Sequence, residues 1–176
     1  MGDCGNKALV TLDGTDMPVQ MKFSEKFMSH KFKGNGLKYE VGVCIVTGRI
    51  VWIHGPSRAG ESDITLARQA FVSFMDDNEM AVADSGYRGE MRRIKTPDFI
   101  HFRSKGEYYD AAVARARHET VNSRLKNMQV LVKRFRHSLA FHSSCFRAVA
   151  VITELNIEAG ESLFPVQYID EGRRLT

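Results

Sequence analysis

The chain has little of what marks a membrane-spanning, secreted or disulfide-built protein. In its 176 residues no apolar run approaches the roughly 20 needed to cross a bilayer. The start, MGDCGNKALV, lacks a basic segment followed by an apolar one, so a secretory signal peptide is not expected. There are three cysteines, Cys4, Cys44 and Cys145, odd in number and far apart. They suit a reducing compartment rather than a disulfide framework. Without a C-x-x-C pair, a structural zinc site is not expected either. His118-Glu119 opens no H-E-x-x-H pattern, because Asn122 stands where the second histidine would be, which excludes a zinc peptidase. No Ser-His-Asp or Cys-His constellation stands out, and there is no internal repeat, low-complexity segment or linker. One domain over residues 1–176 is the expectation.

What is present is an ordinary globular composition, 43% hydrophobic and 26% charged, with a net charge of +4. That net charge hides an asymmetry. Residues 91–137 hold 12 Lys/Arg against 4 Asp/Glu, while the rest of the chain is slightly acidic. A contiguous basic third is the footprint of a polyanionic partner, because each neutralised phosphate releases counterions. A solvated basic helix is the plainer explanation of the same run.

Along the chain, residues 8–12 form an apolar strand ending at Asp13, and Asp-Gly-Thr-Asp follows as a turn. Residues 17–22 pair back as a second strand, and residues 24–36 make an exposed connection. Two β-prone runs, 37–46 and 50–54, flank Thr47-Gly48-Arg49 as a hairpin, followed by a loop over 54–60. Ser62 or Asp63 caps a helix to about Met75, with Leu66, Ala70, Phe71 and Phe74 as its apolar stripe. A strand over 79–83 ends at Asp84. A long helix runs from about Glu107 to Phe135 and a second from Leu139 to about Asn156, closed by Ala159-Gly160, with an extended tail to Thr176. This order predicts an α/β fold, a mixed sheet with helices packed on it.

Three carboxylates stand out by position. Asp13 and Asp84 close predicted strands, where side chains project into a shared crevice, and oxygen donors there suit Mg²⁺ or Mn²⁺. Glu119 lies on the long helix. On a wheel it shares a polar strip with Arg115, Asn122, Lys126 and Lys133, opposite an apolar stripe of Ala114, Val121, Leu125, Met128, Val132 and Phe135. Each has a plainer explanation. A strand-end Asp is more often a turn or cap residue, and Glu119 with Arg115 makes a simple helix ion pair.

Three motifs in order change that balance. Leu12-Asp13-Gly14-Thr15-Asp16, Ala83-Asp84-Ser85-Gly86-Tyr87 and Arg117-His118-Glu119-Thr120-Val121-Asn122-Ser123-Arg124-Leu125-Lys126 together resemble a DDE-superfamily transposase core. The chain most resembles the PIF/Harbinger-type DDE endonuclease domain. The resemblance spans nearly the whole chain, from about Thr11 to Phe164, and the loop from His54-Gly55-Pro56 to Asp63 is similar to a Pro-Gly-rich loop of that family.

The resemblance implies an RNase H-like mixed sheet flanked by helices. It implies catalysis by Asp13, Asp84 and Glu119, the same three holding two Mg²⁺ or Mn²⁺ ions for phosphoryl transfer on DNA. Arg115, Asn122, Lys126 and Lys133 become candidate DNA contacts, which position a backbone without reading sequence. Asp16 is the alternative to Asp13, which is preferred because it closes the strand before the Gly-Thr turn. Asp63 is either a fourth acidic contributor or a helix cap, the latter favoured, and His54 a structural histidine.

The implied partners are transposon-end and target DNA, with assembly as a homo-oligomer on that DNA and no membrane. Residence is nuclear if the source is eukaryotic and cytoplasmic otherwise. Twelve residues precede Asp13, where the resemblance would place a DNA-binding segment, so either the chain is the catalytic core of a longer protein or a separate DNA-binding partner protein supplies end recognition. The competing hypothesis is a catalytically inactive, transposase-derived module that binds DNA or protein. An RNA-binding domain is weaker, because aromatic and basic residues do not interleave along strands.

Overall fold

A computed structural model describes residues 8–77, 79–98, 102 and 104–166. Its strands are β1 (Ala8–Pro18), β2 (Met28–Ser29), β3 (Gly34–Cys44), β4 (Ile50–Arg58), β5 (Met80–Ala83) and β6 (Ile94–Lys95). Its helices are α1 (Asp63–Leu66), which runs through a π turn (Ala67–Phe71) into α2 (Val72–Phe74), then α3 (Lys105–Lys126), α4 (Gln129–Val132) and α5 (Leu139–Glu158). The strands form one six-stranded sheet in which β1 lies between β3 and β5, with β6 beyond β5, while β4 and the short β2 both pair with β3. The β1–β3 and β3–β4 pairs are antiparallel, and β1–β5 and β5–β6 are parallel. The protein is therefore a mixed α/β fold, its sheet flanked by helices, the RNase H-like class expected.

The strand β1 differs from expectation in a way that matters. Asp-Gly-Thr-Asp is no turn, and no second strand folds back over 17–22. One strand of 11 residues runs straight through, because β3 pairs with it continuously from Val10↔Cys44 to Pro18↔Gly36. Continuous pairing with β3 overrides the local turn preference of Asp and Gly. Gly14 belongs in this strand for want of a side chain, since a Cβ there would lie 2.6 Å from Asp63 Oδ1.

The β3–β4 hairpin forms as expected, with Gly48 at φ +77° in its turn. The strand β4 continues past His54 through a cis Gly55-Pro56 bond, where a loop was expected. The two-residue β6 carries no periodicity that would reveal it.

Side-chain alternation along β1 splits the core. Leu12 joins Ala67, Phe71, Met75, Ala83 and Tyr87 on the α1–α2 face. Met17, Tyr39, Val41, Val121, Leu125, Phe146 and Val149 fill the space beneath α3 and α5. There Tyr39 stacks on Phe146 at 3.8 Å between ring centroids and shares a 2.8 Å hydrogen bond with His142 Nδ1. The π turn moves Ala67 and Phe71 into the core and leaves Phe74 exposed against Trp52. Ser62 flanks α1 without a side-chain capping bond.

Helix α3 is capped by Ser104, whose Oγ accepts from Glu107 N. It ends at Lys126, well short of the expected Phe135. The chain leaves the helix so that Phe135 can bridge to Val19, with Phe135 N donating to Pro18 O and Gln20 N to Phe135 O. Helix α5 is capped by Ser138, whose Oγ accepts from Phe141 N, and closes before Gly160 at φ +110°. Cys44 and Cys145 are free thiols, whereas Cys4 and the tail over 167–176 lie outside the described residues. Among the described residues, no helix is long and apolar enough to cross a membrane.

Candidate active site

Parallel pairing of β1 with β5 ends at Leu12↔Ala83. The next residue on each strand is Asp13 and Asp84, so strand register alone sets the two carboxylates side by side. Alternation turns Asp13 toward α3, where Asn122 Nδ2 donates to its Oδ2 at 2.6 Å. Asp84 stands first in the Ser85–Tyr87 turn, and its Oδ1 accepts from Gly86 N at 2.8 Å. That is the cap role its position suggested, and it orients the carboxylate as well.

Glu119 comes to the same place from α3. Asp13, Asp84 and Glu119, with Thr11, Leu12, Arg115 and His118, line a pocket of about 30 Å³. Such a volume holds about two water-sized species. Asp16 lies elsewhere, buried, its Oδ2 accepting from Ser29 Oγ at 2.6 Å. Of the two candidate first ligands, Asp13 is the one in the pocket.

The electrostatics of Asp13 follow from this crowding. Burial lifts its carboxyl from 3.8 to about 7; Lys31 opposes the rise, and the charges of Glu119, Asp84 and Asp63 add to it. An acidic pocket of this kind is costly when ionised and favours a cation. Among the described residues, however, no three His, Cys, Asp or Glu side chains stand close enough together to hold an ion as placed. Asp13 and Asp84 are tied to Asn122 and Gly86, while Glu119 is exposed at the helix surface.

Asp63, expected as a helix cap, is instead the first residue of α1, with Ser62 before it, and lies on the far side of the strand ends, outside the pocket lining. Lys38 Nζ pairs with its Oδ1 at 2.7 Å. A Cβ at Gly86 would lie 2.8 Å from Asp63 Oδ2 and 3.0 Å from Asp84 Oδ1. Asp63 is thus packed under both Gly14 and Gly86, so these two motif glycines are steric requirements of the site. Behind it Glu40, fully buried, accepts from Trp52 Nε1 at 3.0 Å, and burial raises its carboxyl to about 7.

The basic residues separate into three groups. Arg115 lines the pocket, its guanidinium lowered by burial and attracted by Tyr108 and Asp84, with Nη1 buried and without a hydrogen-bond partner. It forms no ion pair with Glu119, so the simple helix pair is not its role. Lys126 ends α3 among Lys31, Asp13, Glu119 and Asp16. Lys133 does not share the face of Glu119 as the wheel predicted, because the helix stops at Lys126. It lies beyond α4, near Arg134 and Arg136.

Asn122 also departs from expectation. It is 4% exposed and holds Asp13 instead of facing outward toward DNA. The polar wheel position was correct, but the face it occupies lies on the strand ends.

His118 had no assigned role in the sequence. Its Nδ1 lies 2.9 Å from Thr11 Oγ1, whose own proton goes to Val43 O. The hydroxyl therefore accepts from Nδ1–H, and Nε2 is left as a buried, unpartnered acceptor. Burial, aided by the nearby Arg117, lowers the imidazole to about 4, so it is neutral at pH 7. Arg117 is not a surface cation either, since its Nη2 donates to the carbonyls of Cys44 and Ile45 at the end of β3.

Comparison with family models, with curated proteins and with solved structures finds no match to this chain.

Proposed function

We propose that the protein is a divalent-metal-dependent phosphoryl-transfer enzyme acting on DNA, the catalytic core of a PIF/Harbinger-type DDE transposase. The observation that carries this reading is the convergence of Asp13, Asp84 and Glu119, from two adjacent parallel strands and a helix, on one small pocket. The donor set is all oxygen, which suits a hard cation. Burial first, and then the charges of Glu119, Asp84 and Asp63, raise Asp13, and a bound cation would offset both.

In this reading Asp13, Asp84 and Glu119 would hold Mg²⁺ or Mn²⁺. When bound, such ions would supply Lewis-acid activation of a water or 3′-hydroxyl and charge neutralisation at the leaving oxygen. The chain's own groups do the rest. Asn122 fixes the rotamer of Asp13 through its 2.6 Å hydrogen bond. Arg115, with a buried and unpartnered Nη1 in the same pocket, has a donor for a phosphate oxygen. Lys126, one helical face along from Glu119, adds a positive charge for the backbone of the bound strand.

Incubating plasmid or oligonucleotide DNA with the protein and Mn²⁺ tests this. Strand cleavage is expected, and Asp84→Ala and Glu119→Ala should each abolish it while leaving DNA binding largely intact. Unchanged nicking in either variant would overturn the assignment. A wild type that binds DNA but never cuts it would instead support the inactive, transposase-derived module.

A further inference from the structure

Beside the carboxylate pocket, and separate from it, lies a cavity of about 650 Å³. This is within the roughly 300–1,000 Å³ usual for small-ligand sites. Its floor and rim are unusual for an unused surface. Lys31, Phe32 and Lys33 enter it from the turn between β2 and β3, Phe23 from the segment after β1, and Lys126 and Arg134 from the far side. Asp16 is the one carboxylate of the lining, and its Oδ2 already accepts from Ser29.

The aromatic rings are held in place. Phe32 lies over β3 where Gly36 leaves it room, since a Cβ at Gly36 would fall 2.6 Å from its Cζ. Its side chain stays 38% exposed. The turn that presents it has Lys33 in the left-handed region, at φ +56°, a conformation uncommon for lysine. Phe23, 63% exposed, rides on a segment fixed by Asn35, whose Nδ2 donates to the carbonyls of Met21 and Lys22 and whose Oδ1 accepts from Ser24 N.

Two large apolar rings kept in water, on rigid backbone and among four cations, call for a ligand that is both flat and anionic. A base pair inside a duplex has its faces covered by its neighbours, whereas an unpaired nucleotide offers a face to stack and a phosphate to neutralise. The cavity also adjoins the carboxylates. Lys31 Nζ donates to Gly14 O at 2.6 Å, the carbonyl next to Asp13, and Lys126 borders both.

We propose that this cavity receives an unpaired nucleotide of the DNA strand, its base stacked on Phe32 and its phosphates held by Lys31, Lys33, Lys126 and Arg134. It would lie next to the phosphate that reaches the carboxylates. This rests on the DNA reading above and adds a strand preference to it: the substrate is distorted or open beside the point of cleavage.

The test is metal-free, so that it does not depend on catalysis. Fluorescence anisotropy compares a blunt duplex with the same duplex carrying a short unpaired extension on either strand, in chelator at fixed salt. An extension should tighten binding by about tenfold, the typical value of one stacked base. Phe32→Ala should erase that gain and leave blunt-duplex binding unchanged, and Phe32→Trp should keep it. A deoxynucleoside monophosphate should not compete at concentrations where the extension does.

Equal binding of blunt and extended duplexes overturns the proposal while leaving the DNA reading in place. So does a uniform loss with Phe32→Ala that Phe32→Trp does not restore, or competition by the mononucleotide at matched concentration. Failure to bind any duplex would defeat the DNA reading itself.

Discussion

Replacing Asp13 by Asn should stabilise the metal-free protein at high pH and do little at low pH. The half-buried Asp13 carboxyl is raised from 3.8 to about 7, by burial first, offset in part by Lys31 and reinforced by Glu119, Asp84 and Asp63. The folded protein therefore keeps a proton on Asp13 that the unfolded chain has released between about pH 4 and pH 7. The native state binds more protons there, so this group's share of stability falls as pH rises through that window and is fully lost above it. A displacement of this size corresponds to at most about 4 kcal/mol, and partial solvation of the site brings it to about 2–4 kcal/mol.

An amide at position 13 removes the charge, keeps the shape and still accepts from Asn122. Thermal or urea melts of both proteins in chelator should then show the variant ahead by about 5–15 °C in Tm at about pH 8. The two should nearly coincide at about pH 4. Glu40, raised in the same range, tilts both curves alike, so the difference between them isolates Asp13. An equal offset at both pH values, or a variant less stable at pH 8, would refute the reasoning.

Three further outcomes follow from the same contacts. Asn122→Ala removes the donor on Asp13 and should weaken Mn²⁺ binding by about 10–100-fold, measured by calorimetry, with the far-UV spectrum unchanged. Lys126→Ala should weaken DNA binding evenly across sequences and reduce the slope of log affinity against log salt by about one, whereas a sequence-selective loss would mean it reads bases. Phe146→Ala, at a site with no exposure and stacked on Tyr39, should cost about 3–5 kcal/mol in urea unfolding, and a loss below about 1 kcal/mol would mean the core beneath α5 is loosely packed.

Much of the site was legible in the sequence because it depends on strand ends. Apolar runs that stop at Asp13 and Asp84 announce a change of environment, and parallel register carries both to one edge without any further contact. Glu119 was singled out by the motif resemblance, whereas periodicity gave it only a polar face, and the structure brings it to the edge where Asp13 and Asp84 stand.

What escaped was decided by long-range pairing. Asp-Gly-Thr-Asp reads as a turn until β3 is known to pair along its whole length. The wheel of α3 runs on smoothly past Lys126, but the bridge from Phe135 to Val19 pulls the chain away and strands Lys133 elsewhere. Asn122 could not be told from an outward-facing polar residue, since its partner Asp13 is 109 positions away. The cavity around Phe32 is equally silent in one dimension, because the Lys-rich stretch that builds it looks like a solvated connection. Gly36, which leaves room for the Phe32 ring, is the trace it leaves in the sequence.

The most direct test of the central claim is calorimetric titration of Mn²⁺ into the wild-type protein and into Asp84→Ala. The account predicts a saturable site in the wild type that the substitution removes, with Glu119→Ala behaving in the same way. Binding that persists undiminished in both variants, or no binding by the wild type with or without DNA, would contradict a metal centre built on Asp13, Asp84 and Glu119.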